Sequence, residues 1–348
     1  MIKPISLLIA SLLLLGPVLV VELGVQLLVE RDRLPHAPSS NDFADVSLAN
    51  LYRLGQQDVL IMGASTVRSG IRPDTLETQI TNETGEEVHV QGAAQPGFSI
   101  AAQEVLIEDL ARHDMLPDVV ITGISPLTLN GEWTNENHWF MNSEWGRSMA
   151  GCPGGPLEPD AIACRFGNLS ALWRWRGQPD RLLQAAESGM PRTLVQGSKR
   201  LRASGWLAGG SARAEALERN VQRALDRLEP TIEVPDVVVE SFVSFVETLE
   251  EHDVELVVVR MPYLQQLEEE SLARHPTWIE ERDAAFALLE EAAGVEIIDT
   301  GGFGDWAEAT SFRDPRHLSK QGAGPFTRQL WSIDQVREPI LDALTSDA

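Results

Sequence analysis

Short, almost wholly apolar runs alternate along this chain with longer amphipathic stretches, and that rhythm narrows the possible folds more than any other feature. Asp58 to Met62, Val88 to Gln91, Asp118 to Ile124, Glu255 to Val259 and Val295 to Asp299 read as strands. Between them lie helical patterns that start near Pro73 and run from Ser99 to Arg112, from Asp236 to His252 and from Pro276 to Ala293, with a closing helix after Lys320. Alternation of this kind predicts an α/β fold with a doubly wound, mainly parallel sheet. Its ligand site is expected at the carboxyl ends of the strands.

The rhythm stops at about Asn130. Gly131 to Val234 is rich in glycine, contains Trp133, Trp139, Trp145, Trp173, Trp175 and Trp206, and has one clear helical segment, Ala212 to Leu228. It reads as an insertion that leaves the sheet after the third strand, placed to serve as a lid or substrate platform. Within it, Cys152 and Cys164 could close a small disulfide loop in an oxidising compartment or stand as free thiols. Without a nearby histidine pair they do not make a zinc site. Trp173-Arg174-Trp175-Arg176 could face sugar rings or a membrane interface, or simply pack in a core or lid.

Before the strands begin, the chain has no charged residue from Ile5 to Val21 and stays mostly apolar to Val29. That length suits one membrane helix. A cleaved signal peptide is the rival reading, but no small-x-small cleavage site follows. His36 to Asn50 has the composition of a tether. The expected organisation is a transmembrane anchor over 1–30, a tether over 31–54, a first half-domain over 55–130, the insertion over 131–234 and a second half-domain over 235–345.

Charge excludes one class of partner. With 52 acidic against 28 basic residues and a formal charge of −24, the chain would repel nucleic-acid phosphates. The acidic run Glu247 to Asp253 fits the solvated face of a helix. Glu132, Glu136 and His138 carry ligand-type side chains, but their spacing matches no metal template. A phosphate-cradling loop is also excluded, because GxxxxGK[ST] is absent. No cofactor or metal is implied.

Two segments carry candidate chemistry. The first strand runs directly into Gly63-Ala64-Ser65-Thr66-Val67-Arg68, which places Ser65 where a strand turns into a helix at the rim of the expected crevice. That position suits a nucleophile, because a helix start stabilises a developing negative charge, although Ser65 or Thr66 could equally be a helix cap. Arg68, beside it, could meet an anionic substrate group or pair with a carboxylate. Far downstream, Asp314-Pro315-Arg316-His317 follows the last strand. Three residues apart across a turn, the Asp314 carboxylate can reach Nδ1 of His317 and leave Nε2 for a serine.

These blocks together resemble the SGNH (GDSL-like) hydrolases. The resemblance rests on Gly63-Ala64-Ser65-Thr66, Gln95-Pro96-Gly97-Phe98-Ser99, Gly123-Ile124-Ser125-Pro126 and Asp314-Pro315-Arg316-His317-Leu318-Ser319 with Gly322-Ala323. It covers about 55 to 335 outside the insertion, and it implies a flavodoxin-like three-layer sandwich. It also implies Ser65 as nucleophile, His317 as base, Asp314 as its orienter, and an oxyanion hole from the N–H groups of Ser65 and Gly97. Where the family has Gly-x-Asn this chain has Gly123-Ile124-Ser125, so Ser125 stands at the third oxyanion position. Ala64 replaces the family's usual aspartate.

Membrane-anchored, extracytoplasmic relatives resemble alginate O-acetylation and D-alanyl-transfer proteins, and they act on esters of surface polymers. The resemblance therefore implies a single-pass membrane protein with its globular domain outside the cytoplasm. The expected activity is that of a serine esterase or O-acyltransferase in polysaccharide modification, with an acylated glycan, lipid or small ester as substrate. The rival expectation is a catalytically weakened member of the fold that binds glycan or a protein partner in an envelope assembly.

Overall fold

The computed structural model describes residues 16–27, 47–48, 51–52, 54–129, 146, 162, 165–166, 170–175, 214–226, 232–300 and 309–345. In chain order these form β1 (Val59–Gly63), α1 (Ser65–Gly70), α2 (Pro73–Thr84), β2 (Val90–Gly92), α3 (Ile100–Arg112), β3 (Val119–Ile124) and α4 (Pro126–Leu129). There follow α5 (Ala171–Trp175), α6 (Ala214–Leu225), α7 (Asp236–Glu251), β4 (Glu255–Arg260), α8 (Gln265–Arg274), α9 (Trp278–Ala293) and β5 (Ile297–Asp299). The last elements are β6 (Phe312–Asp314), β7 (His317–Leu318), α10 (Lys320–Trp331) and α11 (Asp334–Thr345).

Strands β1 to β5 form one parallel sheet in the order β2-β1-β3-β4-β5. Side chains alternate across a strand, so a strand buried on both faces must be apolar throughout. Val59, Ile61, Val119, Ile121, Val257 and Val259 accordingly join one core. Leu60, Met62, Val120 and Val258 join the other. The first core is closed by α1, α2, α6, α8, α10 and α11, and the second by α3, α7 and α9. The chain steps one way from β1 to β2 and the opposite way from β2 to β3, and the helices of the two steps lie on opposite faces. The reversal puts the switch point of the sheet at the carboxyl ends of β1 and β3, where ligands bind in folds of this class.

The α/β class and the five parallel strands match the sequence reading, with ends shifted by one or two residues. Helices α4, α5, α8 and α11 and strands β6 and β7 are additional. Helix α8 buries only Leu267 and Ser271, with Gln266, Glu268 and Glu270 half-buried and Gln265, Glu269 and Arg274 exposed. Helix α11 and the antiparallel β6–β7 hairpin close the chain. The acidic run at the end of α7 is exposed at Glu247, Glu250, Glu251 and Asp253.

Two regions differ from expectation. The tether does not stay off the fold at its end: Leu48 and Leu51 are buried in the second core, Ser47 Oγ donates to Gly92 O at 3.3 Å, and the Tyr52 hydroxyl donates to Asp109. Nor does the helical segment of the insertion stand apart from the sandwich. Leu217, Val221 and Leu225 of α6 belong to the first core, and Gln222 and Glu218 bond to Glu270 and Gln266 on α8. Burying an amphipathic face is what holds such a helix, and here that face meets the sandwich itself.

Of the insertion's tryptophans, Trp175 is fully buried, whereas Trp173 is 37% exposed and packs against Phe166 at 5.8 Å. Trp133, Trp139, Trp145, Trp206, Cys152, Cys164, Glu132, Glu136 and His138 lie outside the described residues. Among the described residues no helix is long and apolar enough to cross a membrane. The described part of the expected anchor is a helix over 16–27. Its Glu22 carboxylate accepts from Ser170 Oγ and from the N–H groups of Ala171 and Leu172 at 2.6, 2.8 and 3.0 Å.

The site depends on how closely α1 approaches the sheet. Gly63 and Gly123 are register partners at the ends of β1 and β3, and a Cβ on either would collide with Val67 of α1. Gly63 also has φ of 130°, a backbone that side chains rarely adopt. Gly123→Ala is therefore expected to lower unfolding free energy by about 1–3 kcal/mol through overpacking against Val67 and Met261. Val67→Ala should restore part of that loss in the double variant. Chemical denaturation measures both, and an unchanged midpoint for Gly123→Ala contradicts the wedge.

Candidate active site

The downstream half of the site is a hairpin with a two-residue turn. Asp314 and His317 are cross-strand partners, joined by Pro315 and Arg316. Asp and Pro at successive positions favour such a turn, and the Asp314 carboxylate accepts from the Arg316 N–H at 3.1 Å, closing it locally. Cross-strand neighbours hold their side chains side by side. His317 Nδ1 accordingly lies 2.7 and 2.9 Å from the two Asp314 oxygens.

The hairpin itself is fixed from three sides. Phe312 and Leu318 sit in the first core, and Leu264 N–H donates to Pro315 O at 2.8 Å. Ser319 caps α10, donates through its N–H to Ser311 O at 2.7 Å and through its hydroxyl to Thr310 O at 3.0 Å. Gly322 lets α10 press on this turn, since a Cβ there would strike the Ser311 carbonyl.

The upstream half is the start of α1. Ser65 is its first residue, so its backbone N–H lacks an intrahelical acceptor, and Ala64 at the cap supplies no side-chain bond. Buried Thr327 of α10 joins the halves: its hydroxyl accepts from Arg72 N–H at 2.9 Å and contacts the Gly70 and Ala323 carbonyls. Ser65 Oγ then stands 2.7 Å from His317 Nε2. Ser65, His317 and Asp314 thus form one chain of hydrogen bonds across a gap of 252 positions between serine and histidine.

The other sequence candidates occupy distinct places. Gln95, Pro96, Gly97 and Phe98 form a turn closed by Phe98 N–H to Gln95 O at 3.2 Å, with Gly97 at φ 62°. Proline followed by a left-handed glycine is the type II pattern. Gln95 N–H bonds to Gly63 O at 3.0 Å, which pins this turn to the end of β1. Ser125 is buried just before α4, and its N–H donates to Thr128 Oγ1 at 3.0 Å, so only its hydroxyl is left to serve an oxyanion.

Arg68 lies one turn beyond Ser65 on α1. Burial, and then the charge of Arg313, push its guanidinium down to about 10, and Nη1 is buried without a hydrogen-bond partner. Sequence reasoning did not single out Arg313 and Arg316. Arg313 Nε is 3.5 Å from Asp314 Oδ2, and Arg316 Nε is buried without a partner. The available signal was their position, flanking Asp314 in a chain so short of basic residues. No grouping of His, Cys, Asp and Glu among the described residues could hold a metal ion. No family model matches the chain, and no curated protein matches it.

Burial alone would raise the Asp314 pKa. The hydrogen bond and charge of His317, the Arg316 N–H and the charge of Arg313 outweigh it and leave Asp314 below its usual value. A depressed folded-state value contributes stability above the unfolded carboxylate value of about 3.9, and that contribution is lost as pH falls through the folded-state value. Asp314→Asn is expected to melt below the parent at neutral pH, with the gap closing as pH falls below about 4. A melting difference independent of pH contradicts this account of the carboxylate.

Proposed function

We propose that this chain is a membrane-tethered serine esterase or O-acyltransferase of the SGNH (GDSL-like) kind, acting on O-acyl groups of a cell-surface glycan or lipid. The observation that carries the reading is the path from the Ser65 hydroxyl through both ring nitrogens of His317 to Asp314. His317 Nε2 takes the hydroxyl proton as Ser65 Oγ attacks the acyl carbonyl, and Asp314 holds the resulting imidazolium in place. The N–H groups of Ser65 and Gly97 stabilise the oxyanion, with the Ser125 hydroxyl at the third position. Collapse expels the alcohol, which receives the proton from His317 and leaves an acyl-serine. Water or an acceptor hydroxyl then gives its proton to His317, attacks the acyl carbon and restores Ser65.

The tether and the extracytoplasmic location rest on the uncharged run from Ile5 to Val21 and on the family resemblance. A second reading is a binding protein that recognises glycan or a partner in an envelope assembly. What favours it is Ser125 in place of asparagine, with its N–H committed to Thr128. Losing one oxyanion donor costs on the order of a hundredfold or more in rate.

The esterase reading expects Ser65→Ala and His317→Ala each to lower kcat on a neutral aryl acetate by at least about a thousandfold, with circular dichroism unchanged. An unchanged rate in His317→Ala removes the imidazole from the mechanism. A well-folded parent that turns over neither aryl acetate nor an acetylated oligosaccharide supports the binding reading.

A further inference from the structure

Buried polar atoms without partners are rare in native proteins, and each calls for an explanation. Among the described residues they belong to Thr66, Arg68, Gln95, Trp175, Glu281 and Arg316. Four of these six are in the segments that build the site: Thr66 and Arg68 on α1 beside Ser65, Gln95 in the turn pinned to Gly63, and Arg316 in the turn between Asp314 and His317.

Two of them are single guanidinium nitrogens, Arg68 Nη1 and Arg316 Nε, on half-buried side chains. A buried cation is costly unless it is paired. Arg313 lies close enough to Arg68 for its charge to act on it, and it reaches Asp314. Both oxygens of Asp314 are already engaged by His317, Arg316 N–H and Arg313, and Asp314 is not within ion-pair distance of Arg68. Among the described residues the site thus gathers arginine nitrogens without a partner, in a chain whose formal charge is −24.

Arg68 is three residues from Ser65 on one helix, and side chains at that spacing share a face. We propose that Arg68, with the charge of Arg313 beside it, receives an oxyanion group of the substrate, a carboxylate or phosphate, so that the esters processed at Ser65 are anionic. The assignment of a substrate rests on the esterase reading, whereas the anion site rests on the arginines alone. A planar guanidinium with free N–H groups suits a carboxylate or phosphate in paired geometry. The cost of leaving it unpaired is recovered only when such a group arrives, so a neutral ester gains nothing from Arg68.

The test uses the full-length protein in detergent, with inorganic phosphate as the probe and sodium chloride at matched ionic strength as the control. Phosphate is expected to raise the melting temperature of the parent by about 2 °C, and to do so less or not at all in Arg68→Gln. Without phosphate, Arg68→Gln should melt at or above the parent, because it removes a charge that burial and Arg313 disfavour. Equal phosphate shifts in the two proteins, or no shift in the parent, overturn the proposal. Should Arg68→Gln fail to fold, Arg68→Lys, which keeps the charge without the paired geometry, takes its place and should show a reduced shift.

Turnover assigns the position of the anion. Phenyl acetate is compared with 4-acetoxybenzoate, charged on the alcohol side, and with a monoaryl adipate, charged on the acyl side. Arg68→Gln is expected to lower kcat/KM at least about tenfold more for one charged ester than for phenyl acetate. Equal loss on all three overturns the assignment of an anionic substrate. Arg68-dependent phosphate binding without turnover of any ester sinks the esterase reading and leaves an anion-binding site.

Discussion

The close seating of α1 on the ends of β1 and β3 is the constraint from which the rest of the site follows. Val67 enters a notch that exists because Gly63 and Gly123, paired across the two strands, have no Cβ. The notch lets a six-residue helix begin almost at once after β1 with its first residue at the switch point of the sheet. A longer connection would have let Ser65 wander. A bulkier residue at either glycine would lift the helix away from the strands, carrying Ser65 and Arg68 with it.

A rigid upstream half is useful only if the downstream half arrives in register. The β6–β7 hairpin is too short to be stable alone, since isolated hairpins are marginal in water. It borrows rigidity from Phe312 and Leu318 in the core, from the Ser319 cap and from the close approach of Gly322 to Ser311. Thr327, fully buried, then fastens α10 to the corner between α1 and α2. The distance between Ser65 and His317 is therefore set by a few short-range contacts on one face of the sheet.

The sheet was legible because parallel strands buried on both faces leave continuous apolar runs, and its crossover helices were legible through their amphipathic period. Helix α8 was not: its Gln265-Gln266-Leu267-Glu268-Glu269-Glu270 start has no apolar stripe, and it is held by Leu267, Ser271 and polar contacts to α6. The hairpin escaped notice because two- and three-residue strands carry no period, although Asp314-Pro315 already marked its turn. The docking of Leu48 and Leu51 was hidden in a segment whose overall composition is that of a linker. At the site, Ser65, Asp314 and His317 could be named from local position. The glycine notch and the unpartnered Nη1 of Arg68 could not, since both depend on what other parts of the chain bring near.

The esterase reading requires that the Ser65 hydroxyl, hydrogen-bonded to His317, be an activated alcohol and that backbone N–H groups hold the oxyanion. A fluorophosphonate probe tests the central claim most directly, because it reacts only with a serine that is activated and whose developing charge is held. After exposure, peptide mapping by mass spectrometry is predicted to find the phosphonyl group on Ser65 in the parent and far less of it in His317→Ala. A folded parent that remains unlabelled, or a label on another serine, contradicts the account.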